Sequence, residues 1–523
     1  MSERQAGSAM TDVVIVGAGP VGLMLAGELC LGGVVPVVLE RLPEISDLPK
    51  GNGMIGQIVQ VLDYRGLLAP FRADATYTGP VPGFDFGSLP LDFSGLASSP
   101  LHVMAIPQRR LERQLASRLE ALGGGITRSR ELVALAQDDQ RVTLDVRGPD
   151  GDYRLGCRYL VGCDGARSTV RKLAGIGFPG VTSTDLSRIG RVRLPGATVD
   201  PATGQIVVPG FGQLRQGRMI RTQTGQYSLA PLAMVDKNAA PEVYIVATAE
   251  EAAGADPDSP LTLEELRASV ARVLGADLPM TEPQWLTKTV GNSRQADRYR
   301  AGRVLLAGDA AHIFGSGGSL NVGLLDAMNL GWKLAAQVRG EAPAGLLDSY
   351  HAERHAAGER ALMYTRAQRE LTQDGEYAEA FRSLVRELLA YPDVARHLGE
   401  LVEGSDVRYD LGDAHPLAGR LAPNLELTTS AGRMRVAELL HVARPVLVDF
   451  TADQRAAAAA AAWGERLRVV TAAAQVPPAP ADALLIRPDG CVAWVAGPGA
   501  ADATAGLADA VRKWVPGSRE MAS

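Results

Sequence analysis

Short apolar runs rich in β-branched residues alternate along this chain with stretches in which apolar residues recur every three or four positions. The first pattern predicts buried strands and the second predicts helices. Asp12-Val13-Val14-Ile15-Val16 reads as a strand that stops at Gly17. A helical stretch follows, with Leu25 and Leu29 four apart, and Gly32-Gly33 ends it. A second strand over 35–39 opens with Pro36, where a missing N–H is tolerable, and delivers Glu40. Two more buried runs end in glycine and aspartate. Tyr159-Leu160-Val161 leads into Asp164-Gly165, and Val304-Leu305-Leu306 leads into Gly308-Asp309. Beyond the second, a glycine-rich run over 315–321 enters a helix with Leu325, Met328, Trp332 and Ala335 on one face.

The pattern changes between 177 and 285. Strand-like runs at 204–208, 226–229 and 243–248 are separated by glycine and proline turns, which predicts a sheet-rich insertion. The segment 82–105, with Phe84, Phe86 and Phe93, is a candidate addition to that sheet. Near the carboxyl end, 446–450 and 483–486 read as strands and the alanine run 456–462 as a helix. The fold class is α/β throughout, with a Rossmann-type first domain.

The first turn carries the chemistry most plainly. Gly17-Ala18-Gly19-Pro20-Val21-Gly22 is a GxGxxG between strand and helix. Gly17 permits the turn, Gly19 lets backbone N–H groups approach a pyrophosphate, and Gly22 lets helix and strand pack closely. The helix start turns its positive dipole end toward the phosphates. Glu40 is placed to accept hydrogen bonds from a ribose, which fits FAD or NAD and disfavours NADP at this site. Asp164-Gly165 by itself is also an ordinary turn. Asp309 reads either as a ligand for a ribityl hydroxyl or as a helix-capping carboxylate, and His312 as a residue that holds a turn.

Net charge is −6 over 523 residues, without a long basic run, so binding of nucleic acid by bulk electrostatics is not expected. Four cysteines, none in a CxxC pair, exclude a disulfide framework and a dithiol motif. Without an apolar stretch of ~20 residues or a targeting pattern, a cytoplasmic protein not held in a membrane is expected.

Three sites in this order resemble the group A flavoprotein monooxygenases, the para-hydroxybenzoate hydroxylase type. The phrase Ile106-Pro107-Gln108-Arg109-Arg110-Leu111-Glu112 resembles the family's I-P-Q-x-x-x-E and carries over Gln108 as a neighbour of the flavin's ribityl and phosphate region. The resemblance implies that Asp164 serves the cofactors, that Gly308-Asp309 binds the ribityl chain, and that Gly318, Ser319, Leu320 and Asn321 hold the flavin ring. Arg41, Lys50 and Leu132 complete the implied cofactor set. His415-Pro416-Leu417-Ala418-Gly419-Arg420 and Arg487-Pro488-Asp489-Gly490 sharpen the resemblance to large aromatic hydroxylases and actinomycete polyketide oxygenases, which carry a thioredoxin-like third domain without redox cysteines.

The implied domains are 1–176 with 286–400 for FAD, 177–285 for the substrate, and 401–523 for the third domain. The implied reaction is NAD(P)H-driven insertion of one oxygen atom from O2 into a phenolic aromatic, through a hydroperoxide formed on FAD. No catalytic side chain is singled out beyond Lys50 and the Gly318 region, and no metal is needed. Arg221, Tyr227 and Trp285 are the pocket candidates. Baeyer–Villiger or ring-opening oxygenation, inactivation of an antibiotic, and flavin or antibiotic binding without turnover are the alternatives; a homodimer is a further expectation. Two departures stand out. The loop 313–318 lacks the family's proline, and Lys50 and Gln57 stand where relatives commonly place arginine.

Overall fold

The computed structural model describes residues 10–48, 50–252, 256–315, 318–475, 479–500 and 502–517. At its centre is an eight-stranded sheet. Gly125–Arg128, β2 (Val37–Glu40), β1 (Met10–Val16), the end of Gly151–Gly162, and Val304–Leu306 run parallel and adjacent in that order. Parallel strands point their carboxyl ends the same way, so Gly17, Glu40, Asp164 and Asp309 all emerge at one edge. The first helix, α1 (Pro20–Leu31), has Pro20 in its first turn, where a missing N–H costs nothing.

The helix Ser319–Arg339 was expected to bury one face; it is buried on almost every side. One side meets α1 closely enough that a Cβ on Gly331 would lie 2.3 Å from Glu28 Cβ and one on Gly32 would lie 2.5 Å from Ala335 Cβ. Trp332 and Ala336, on another side, join the core of the third domain with Trp494, Leu507 and Trp514.

The insertion is a six-stranded antiparallel sheet in the order Gly217–Arg221, Gln226–Pro231, Val243–Glu251, Gly180–Arg193, Thr281–Gln295 and His312–Ile313. A boundary at 286 falls inside the Thr281–Gln295 strand, which continues to pair with His312–Ile313 just beyond Asp309. The helix Leu263–Leu274, capped by Thr262, covers one face of the sheet. Segment 82–105 does not join it. Its strands form a hairpin, Gly83–Phe86 with Leu89–Asp92, and a small sheet of His102–Ala105 with Met54–Ile55 and Tyr77–Pro80. The reason is a separate apolar cluster, in which Phe86, Phe93, Leu91 and Leu101 bury against Leu371 and neighbours from the helices beyond it.

The third domain is built on a six-stranded sheet in the order Gly432–Arg435, Glu426–Thr429, Arg468–Ala474, Val446–Asp449, Ala483–Ile486 and Val492–Ala496. Only the pair Val446–Asp449 with Arg468–Ala474 is parallel. The alanine run is helical over Arg455–Ala460 and then tightens to a 3₁₀ turn, Ala461–Arg466. All four cysteines are free, and burial pushes the Cys491 thiol up. Among the described residues no helix is long and apolar enough to cross a membrane, and no cluster of His, Cys, Asp and Glu could hold a metal ion.

A fully buried charge network joins this domain to the rest. Arg487 grips Glu353 with two hydrogen bonds of 2.7 and 2.8 Å and also holds Asp489. Lys333 Nζ reaches Glu353 and Asn329, each at 2.8 Å. Arg65 forks onto Glu28 of α1 at 2.7 Å twice and donates to the carbonyls of Leu440 and Pro488. Burial opposes ionisation of Glu353, but Arg487 and Lys333 overcome it and hold its carboxyl well below the usual range. Burial likewise pushes Lys333 down to about 8 despite Glu353. Removing one partner of such a pair strands an uncompensated charge. Arg487→Met should therefore cost about 3–5 kcal/mol in urea unfolding. Glu353, with its depressed pKa, contributes stability above the unfolded carboxylate pKa and loses it only as pH falls through the folded value. The gap between wild type and Arg487→Met should therefore narrow in acid; a gap under about 1 kcal/mol at neutral pH would show that the network does not secure the domain.

Candidate functional site

The site begins at the carboxyl edge of the parallel sheet. Gly17 has φ +105°, and a Cβ there would lie 2.4 Å from the Cys163 carbonyl oxygen. A Cβ on Gly22 would lie 2.0 Å from the Gly17 oxygen. Both glycines are required by the turn itself. Gly19 differs: its absent Cβ would meet nothing within 4 Å, so the open space in front of the helix start is what a bound group would use. Glu40 Oε2 accepts the Ala18 N–H at 2.8 Å and Oε1 accepts the Leu42 N–H at 2.9 Å. A carboxylate has about four acceptor sites, so capacity for a ribose remains. Arg41 and Lys50 are exposed beside this edge, and Leu132 is a core side chain on Glu131–Gln137.

Gln108 begins the helix Gln108–Ala121, donates its backbone N–H to the Gly51 carbonyl at 3.0 Å, and donates its side-chain amide to Glu112 at 2.8 Å. The 50–55 loop thus runs from Gln108 at one end to Asn321 at the other, where Asn321 Oδ1 accepts the Ile55 N–H at 3.0 Å.

The two later aspartates behave differently. Both Asp164 oxygens are taken up locally, by Ser168 Oγ at 2.5 Å and by the N–H groups of Thr169 and Val170 at 2.6 and 3.1 Å. Asp164 therefore shapes its turn. Among the described residues Asp309 makes no capping hydrogen bond. Its carboxylate meets solvent within a recess, and surrounding protein still pushes its pKa up by burial, with His312 opposing. Gly308, with φ +63°, packs against Val21 and donates its N–H to Asp326 at 3.1 Å. Of the glycine-rich run, Ser316 and Gly317 lie outside the described residues. Gly318 takes a left-handed conformation at the helix start, and Ser319 Oγ accepts the Phe314 N–H at 3.1 Å. Leu320 and Asn321 form the first turn.

The six-stranded sheet adjoins this edge: its last strand, His312–Ile313, begins three residues after Asp309, and Arg191 on its uncovered face reaches Asn52 of the 50–55 loop at 3.5 Å. Along Gly180–Arg193, Leu186, Arg188, Gly190 and Val192 are buried toward the covering helix, and the alternate residues are only half-buried. Tyr227 lies on the covered face, 8% exposed, with its hydroxyl donating to the Arg215 carbonyl. Strand alternation thus removes it as a pocket residue. Arg221 holds the carbonyls of Thr372 and Gln373 and pairs with Asp374, which makes it a clamp on that turn. Trp285 does sit on the open face, directly opposite Arg191.

Sequence reasoning missed the hub beneath the recess. Asp326 is fully buried, accepts from Arg354 at 2.8 Å and pairs with His312 at 2.7 Å. Arg354 also reaches Tyr409 at 2.9 Å. His312 is thereby structural. Asp326 and Arg354 sit on consecutive helices, 28 residues apart, and Arg354 is one of many charges on its helix, so nothing local in the sequence marked the pair.

Converging strand ends, an open helix start and an unpaired carboxylate in a recess define a Rossmann-type dinucleotide-binding protein that fits FAD. A family model described as FAD binding domain matches residues 10–365, and one described as aromatic-ring hydroxylase, C-terminal, matches 415–517. The chain belongs to the FAD-dependent aromatic-ring hydroxylases, the group A flavoprotein monooxygenases. A 12-dehydrotetracycline 5-monooxygenase/anhydrotetracycline 6-monooxygenase of Streptomyces rimosus subsp. rimosus is 42% identical over 513 residues, covering 96% of this chain and 98% of that protein. A rifampicin monooxygenase of Streptomyces venezuelae is 39% identical, covering 93% and 95%. The solved structure of an anhydrotetracycline hydroxylase from Streptomyces rimosus superposes with a TM-score of 0.84 at 40% identity, covering 97% and 99%.

Two substitutions separate fold from site. Gly19→Val should leave thermal unfolding of the apoprotein nearly unchanged while FAD retention falls at least tenfold in equilibrium titration, because the new side chain fills the phosphate space. A carboxyl held above its unfolded value loses folding stability as pH rises through that window. Asp309→Asn should accordingly raise apoprotein stability at neutral pH and weaken FAD. If both quantities move together, Asp309 is not the carboxylate that faces the cofactor.

Proposed function

We propose that this protein uses FAD and NAD(P)H to place one oxygen atom from O2 on an electron-rich, polycyclic phenolic substrate, hydroxylating it. The single observation behind this is an open, half-buried sheet face that adjoins the turns of Asp309 and 318–321: its last strand begins three residues after Asp309, and its Arg191 reaches the 50–55 loop that is tied to Asn321. A planar ring system laid between them would meet the flavin ring, and pockets between domains are the common place for such ligands. The 42% identical relative whose name carries two tetracycline substrates supports the substrate class.

In this reading Gly17 to Gly22 and the start of α1 hold the pyrophosphate, Glu40 takes the adenosine ribose, and Arg41 and Leu132 border the adenosine. Gln108 and Lys50 lie along the phosphate and ribityl region, and Asp309 with Gly308 takes a ribityl hydroxyl. The first turn of Ser319–Arg339 directs its positive end at the ring's pyrimidine edge and stabilises negative charge there. Bound FAD supplies the electron transfer and the activation of oxygen. The chain positions the ring and shields it from water with the adjoining sheet. Free cysteines throughout fit a reducing, cytoplasmic setting.

The test is turnover under isotopically labelled O2 with a polycyclic phenol and either nicotinamide. The expected product is the substrate plus one labelled oxygen at an aromatic carbon. A ring-expanded or cleaved product would replace hydroxylation with Baeyer–Villiger chemistry, and FAD that is retained but never reduced would end the enzymatic reading.

A further inference from the structure

We propose that Arg191, with Arg109, receives a phosphate group of the nicotinamide dinucleotide at the mouth of the cleft. This rests on the functional reading above and adds where the reductant is held.

Arg191 projects from the open face of the six-stranded sheet and is half-buried. Among the described residues its guanidinium reaches only Asn52 Oδ1, at 3.5 Å, on the 50–55 loop. Arg188, three residues earlier on the covered face, shows the usual solution for a buried arginine: it pairs with Glu250 and Glu265, each at 3.0 Å. Arg191 has no such carboxylate. Burial disfavours its charge and Arg109 adds like-charge repulsion, with Asp236 opposing both. The acids nearby are already engaged. Asp236 is shared by Arg109 at 2.9 Å and Arg110 at 2.7 Å, and Asp47 faces Arg109 at 3.7 Å.

A phosphate is the group that satisfies this arrangement. It supplies the missing negative charge, and its oxygens match the planar fork of arginine. Trp285 lies directly across the strand pair from Arg191, on the same face, with Cβ atoms ~5 Å apart, and offers a flat surface beside the phosphate for one of the dinucleotide's rings.

The test compares wild type, Arg191→Gln and Arg191→Lys, each loaded with FAD. Binding of NADP⁺ and NAD⁺ is measured by calorimetry, and flavin reduction by NADPH and NADH by stopped flow. Arg191→Gln should weaken dinucleotide binding about tenfold and raise its KM equally, with FAD content and the limiting reduction rate unchanged. Arg191→Lys should recover part of the loss. An equal loss for both dinucleotides assigns the diphosphate, and a loss confined to the NADP pair assigns the 2′-phosphate; either supports the proposal. Unchanged dinucleotide affinity, or a rise confined to the aromatic's KM, overturns it. A wild type that keeps FAD but binds neither dinucleotide overturns the functional reading instead.

Discussion

The close crossing of two helices governs this structure. α1 follows the first glycine turn and Ser319–Arg339 follows the second, and they approach through Gly32, Gly323 and Gly331. Because Gly323 lies against the Gly308 turn, with 2.8 Å between its absent Cβ and Gly308 Cα, the two helix starts and the Asp309 turn form one rigid unit. An elongated ligand that touches both turns needs their separation held to a fraction of an ångström, and backbone-to-backbone contact provides that where side-chain packing would yield.

The third domain belongs to the same unit. Arg487 and Asp489 enter from it to meet Glu353 and Lys333 of the flavin-side helices, and Arg65 takes carbonyls of Leu440 and Pro488 while gripping Glu28 of α1. Charges taken so far from water hold only when each finds its partner, which ties the domain to one position. The network braces the helices that carry both turns.

The six-stranded sheet obeys a different rule. Antiparallel strands with one face under a helix leave the other free, and alternation along Gly180–Arg193 sorts residues between them. Arg188 and Arg191 are the same residue type three positions apart, yet one is paired in a core and the other stands unpaired over the cleft. Face, and not identity, sets their chemistry.

The parallel sheet, the GxGxxG turn, Glu40 and the Asp309 turn were legible in the sequence because their signals are local: a β-branched run, glycines at fixed spacing, an acid at a strand end. The family resemblance was legible for the same reason. Other features depended on partners distant in the chain. Tyr227 and Trp285 are alike as aromatic strand residues, and only the covering helix decides that one is core and the other lies on the open face. The 82–105 segment joined its own cluster because Leu371 and later helices offered it apolar cover. Asp326 and Arg354, or Arg487 and Glu353, are unremarkable charges until the fold removes them from water. The sequence by itself determined which turns exist and what they are able to hold. Tertiary structure decided which charges are left without a partner, because burial and pairing are properties of the packed chain.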